Sequence, residues 1–90
     1  MGVQSTQERI EQETVQLRAA FPAIQHCHTA LVQWKEDDAA RYSLHLDIRW
    51  PQHQTLVSGQ ARDSAEAAIG AAFQAARERL NAAPASRAKL

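Results

Sequence analysis

The chain has 90 residues, ten Lys and Arg against ten Asp and Glu, and one cysteine. That length supports one hydrophobic core rather than two, and a single thiol excludes an internal disulfide. The balanced charge gives no overall attraction for polyanions, and no apolar run reaches the roughly 20 residues that a membrane-spanning helix needs.

In chain order, the start MGVQSTQERI has neither the basic residues nor the apolar stretch of a secretion signal, which predicts a cytoplasmic protein with a reduced thiol. Ser5 followed by Glu8 is a capping-box pattern. Ile10, Leu17 and Phe21, with Thr14 and Ala20 beside them, recur at helical spacing until Pro22. A first helix is therefore predicted from about Thr6 to Phe21. From Ala23 to Lys35 the pattern alternates, with Cys27, Thr29 and Leu31 on one side and His26, His28, Ala30 and Val32 on the other, as in a strand. After the polar turn WKEDDAAR, the apolar set Tyr42, Leu44, Leu46, Ile48 and Trp50 alternates with Ser43, His45, Asp47 and Arg49, the clearest strand pattern in the chain.

Pro51 to Gln54 makes the next turn, and Thr55 to Ala61 returns as a third antiparallel strand on which Leu56 and Val57 compete for the core face. Asp63 with Glu66 suggests a second capping box. Ala65, Ile69, Ala72, Phe73, Ala76 and Leu80 then form one stripe of a helix reaching about Asn81. Both helical stripes need the same sheet face, so the expected fold is α+β: a two-layer sandwich in the order helix, three antiparallel strands, helix, with both helices on one sheet face. Its core should hold Leu17, Phe21, Leu31, Leu44, Leu46, Ile48, Ile69, Phe73 and Leu80. A single domain is expected over 5–82. The Ala-, Pro- and Ser-rich end, 83–90, reads as a disordered tail.

The strings LRAAFPAIQHC, YSLHLDIRWP and AIGAAFQAARERL, in this order and spacing, resemble the ribosome hibernation-promoting factor family, also called the sigma-54 modulation family, from about Glu8 to Leu80. The resemblance implies a factor that binds ribosomal RNA of the small subunit and silences idle ribosomes, with no catalysis and no cofactor. It also implies a further strand before the first helix, for which only Val3 and Gln4 are present here. Gly70 and Glu78 stand where related sequences often carry Arg, which thins the family's basic surface.

Phosphate contacts need cations, and arginine can bond phosphate in a bidentate way. The candidates for RNA contact are Arg41, Arg49, Arg62, Arg77 and Arg79; Arg77 and Arg79 fall on opposite sides of the last helix's apolar stripe. The alternative reading is a divergent member that has lost ribosome binding and serves as a protein-interaction or self-assembly module. Its candidate surface is the edge and outer face of the Ala23–Lys35 strand, with His26, His28, Ala30, Val32 and Trp34, through which a homodimer is expected. A hairpin about Asp37–Asp38 is expected to set His28 opposite Arg49, Ala30 opposite Asp47 and Val32 opposite His45. The His28–Arg49 pairing argues against a metal site among His26, His28, His45 and Asp47. Cys27 is expected to face inward, away from those histidines, and no phosphate loop, paired carboxylates or HExxH helix is present.

Overall fold

A computed structural model describes residues 5–82. The expected first-strand residues Val3 and Gln4 and the expected tail at 83–90 lie outside the described residues. Helix α1 spans Thr6–Ala20, strands β1, β2 and β3 span His26–Glu36, Ala39–Trp50 and His53–Ser58, and helix α2 spans Ala65–Ala82. The strands form one antiparallel sheet in the order β1-β2-β3. The fold is the α+β arrangement expected from the hydrophobic patterns.

Each element begins where its backbone can be satisfied. Ser5 Oγ accepts from the Glu8 N–H while Glu8 Oε1 accepts from the Ser5 N–H, both at 3.1 Å, which caps α1 reciprocally. The α2 cap is Ser64 rather than Asp63. Its Oγ accepts from the Ala67 N–H at 3.1 Å, and its carbonyl accepts the first helical bond from Ala68. Asp37 and Asp38 both have positive φ, 53° and 65°, which forms a two-residue type I′ turn and keeps Trp34–Glu36 and Ala39–Arg41 in the ladder. The long polar turn expected there is thus mostly strand. Pro51 and Gln52, the latter at φ 65°, make the second tight turn and pair Trp50 with His53. That register places Val57 in the core and leaves Leu56 exposed.

Helix α2 lies on β2 and β3, and α1 packs beside α2. Leu44, Leu46, Ile48 and Trp50 of β2 meet Ile69, Ala72, Phe73, Ala76 and Leu80 of α2 in one cluster that also takes Ile10, Leu17, Ile24 and Val57. The alanines let α2 approach closely. A Cβ added at Gly59 would lie 2.9 Å from the Ala72 Cβ and 3.0 Å from the Leu44 carbonyl oxygen, so only glycine fits under the helix there.

Two core expectations are corrected. Leu31 is 37% exposed and stands outside the core cluster, because the helices pack chiefly on β2, β3 and each other. Phe21, the C-cap residue of α1, is only partly buried at the margin of the core.

Truncating Phe73, fully enclosed, to Ala should cost about 3–5 kcal/mol in a urea titration, whereas Leu31→Ala should cost less than about 1 kcal/mol in the monomer. Equal losses would contradict the uncovered position of Leu31.

Candidate functional site

The direction of each backbone group along β1 follows from the bonds on the far side of β2. The Leu44 carbonyl accepts from Gly59, and Tyr42 exchanges both bonds with Arg62, so the even residues of β2 face β3. Its odd residues then face β1. Their partners Val32, Ala30 and His28 spend their backbone groups on β2. The N–H and C=O groups of Cys27, Thr29, Leu31, Gln33 and Lys35 point away from the sheet and have no partner among the described residues. Every β1 side chain except the half-buried Cys27 is exposed, Val32 at 42% and Trp34 at 37%.

The opposite edge is protected. Strand β3 has six residues, and its outward-facing Leu56 carbonyl accepts from Arg79 Nη1 at 3.2 Å. A short strand and a charged side chain across its backbone are both common ways to stop strand addition. Strand β1 has neither: it runs for 11 residues without proline, and its first charge is Lys35.

On the face away from the helices, His26 stands opposite Arg49, His28 opposite Asp47, Ala30 opposite His45 and Val32 opposite Ser43. The observed pairing differs from the expected one by two residues: the two-residue turn at Asp37–Asp38 sets Glu36 opposite Ala39, whereas the expected pairs centre one residue later, between Asp38 and Ala39. Faces are unchanged by such a shift, but partners are not. His28 therefore meets a carboxylate rather than a guanidinium. Asp47 accepts from Gln54 Nε2 at 2.9 Å and from Arg49 Nη2 at 3.3 Å. The Gln54 bond first, and then the Arg49 bond, hold its carboxyl below the usual range. His26 and His28 stack with ring centroids 6.0 Å apart, and His45 Nδ1 lies 3.1 Å from Ser58 Oγ. Among the described residues, no group of three His, Cys, Asp or Glu side chains is placed to hold a metal ion. Cys27 faces inward against the core, and burial pushes its thiol up, which opposes nucleophilic use at neutral pH.

The five candidate arginines do not converge. Arg41 Nε lies 3.5 Å from Glu36 Oε1, and Arg49 is held by Asp47. Arg77 reaches across to α1, where Glu13 receives it at 3.3 Å together with Arg9. Arg79 turns the other way, to Leu56, and Arg62 Nη1 bonds the Ala61 carbonyl at 3.3 Å. Glu13 is a site residue that no local pattern could reveal, since Arg77 is 64 positions away. Leu56, 60% exposed on the outer face, was likewise left undecided by the sequence.

No family model, curated protein or solved structure matches this chain. The fold and its surfaces define a small α+β sandwich with one protected and one open sheet edge among the described residues. No helix in that region is long and apolar enough to cross a membrane.

Asp47 yields a pH prediction. A carboxyl whose folded pKa is depressed stabilises the fold above its unfolded pKa, and that contribution is lost as pH falls through the lowered value. A carbon-detected NMR titration should place the Asp47 midpoint below that of an unperturbed aspartate, and Gln54→Ala should raise it. A midpoint indifferent to Gln54 would contradict the assigned cause.

Proposed function

We propose that this protein is a binding module, without chemistry of its own, that works by accepting an extended strand along β1. The observation that carries this reading is the 11-residue edge strand whose outward backbone groups have no partner among the described residues. Strand addition draws affinity from main-chain hydrogen bonds and specificity from alternate side chains. Val32 and Trp34 supply exposed apolar contacts on one face of β1, and Leu31 supplies one on the other. Neutral net charge fits a protein surface better than a polyanion site.

The test is a titration of isotope-labelled protein with a synthetic peptide copying His26–Glu36. The expected result is saturable slowing of amide exchange at Thr29, Leu31 and Gln33, with α2 unaffected. Absence of any change along β1 would overturn the reading.

Attachment to ribosomal RNA of the small subunit is the second reading. Its support is the helix, three strands, helix order, which agrees with the part of the implied family fold that follows its first strand, together with Arg62 and Arg79, which have no carboxylate partner among the described residues. Glu13 restrains two further arginines. Glu13→Gln should therefore strengthen co-sedimentation with purified small subunits and Arg79→Glu should weaken it, both effects shrinking as salt rises. Identical sedimentation of the three proteins would remove this reading.

A further inference from the structure

We infer that the strand added to β1 is β1 of a second copy of this chain, running antiparallel with the two-fold axis at Leu31. The inference rests on the reading of the β1 edge as the working surface and names its partner.

Three observations single out that partner and that register. First, a two-fold axis requires an antiparallel, self-complementary contact, and only residues with outward backbone groups can exchange bonds across it. Leu31 is such a residue, and it is also the midpoint of His26–Glu36. Centring the axis there pairs the whole of β1 with its copy. Leu31 faces its own equivalent, Thr29 faces Gln33, and Cys27 faces Lys35. These five outward residues would each donate and accept one bond, about ten across the interface.

Second, the side chains agree with this register. On the outer face Ala30 meets Val32, His28 meets Trp34, and His26 meets Glu36 of the other copy. Apolar groups thus fall in the middle, an aromatic pair flanks them, and a histidine lies against a carboxylate at each end. Shifting the axis by one residue to Ala30 sets Val32 against His28 and leaves Glu36 outside the pairing.

Third, the exposure of Leu31 on the helix side is explained by the pairing. The two leucines, each 37% exposed in the single chain, would cover one another at the axis, beyond the part of the helix-bearing face that the core cluster occupies. The product is a continuous six-stranded sheet whose two outer edges are the protected β3 strands.

The test combines mass with register. Light scattering over a dilution series is expected to move from monomer to dimer as concentration rises. Leu31→Lys places two like charges opposite one another at the axis, and Leu31→Pro removes an outward N–H that β2 does not use; both should remain monomeric at every concentration. In a Cys27→Ala background, Leu31→Cys should cross-link to itself under mild oxidation. Thr29→Cys and Gln33→Cys should cross-link when mixed but not alone. A monomer at all concentrations, with the β1 peptide still bound, would overturn the second copy as partner and leave strand addition standing. A monomer that also ignores the peptide would remove both. Self-linking of Thr29→Cys or Gln33→Cys would overturn the register.

Discussion

The constraint on which the rest depends is the two-residue turn at Asp37–Asp38. Both residues sit in the left-handed region, where aspartate is tolerated better than bulkier or branched residues because its short side chain can bond locally. A turn with two positive φ values twists in the same sense as its strands, so it fixes one register instead of permitting several. That register sets His28 against Asp47, turns Cys27 toward the core, and points the backbone of Leu31 outward. Moving it by one residue would put Leu44, Leu46 and Ile48 against the wrong neighbours and invert the open edge.

Stability and interaction are divided across the sheet. Helix α2 packs its alanine-rich face onto β2 and β3 so closely that Gly59 cannot carry a side chain, and the large buried residues collect there. One consequence is that β1 receives little cover: it is held by β2 on one side and offers backbone on the other. Charge follows the same division. Arg79 protects β3, Arg77 ties α2 to α1 through Glu13, and Arg49 is engaged by Asp47, so several cations are spent within the fold. The outer surface around β1 is correspondingly neutral and partly apolar.

Much of the fold was legible in the sequence because alternation and helical spacing report faces directly. The run Tyr42–Trp50 identified β2, and Ile69, Phe73 and Leu80 identified the stripe of α2. Alternation also placed Leu31 on the inner side, correctly, but a periodic pattern cannot say whether a second layer extends over a residue. The same limit applied to the turn: the charge-rich segment Trp34 to Arg41 looked like a loop, while backbone pairing continued up to the two residues of its tip. At the start of α2, Asp63 and Ser64 are both capping residues, and the choice depended on which oxygen met a helical N–H. The convergence of Arg9 and Arg77 on Glu13 is a tertiary fact with no local signal.

The central claim is that the outward backbone of β1 is used by another copy of the chain, and residue-resolved amide exchange measured at two protein concentrations tests it most directly. The amides of Thr29, Leu31 and Gln33 should exchange rapidly when dilute and slow markedly when concentrated, while those of His28, Ala30 and Val32, bonded to β2, should exchange at the same rate in both samples. Rapid exchange at Thr29, Leu31 and Gln33 in both samples would contradict it.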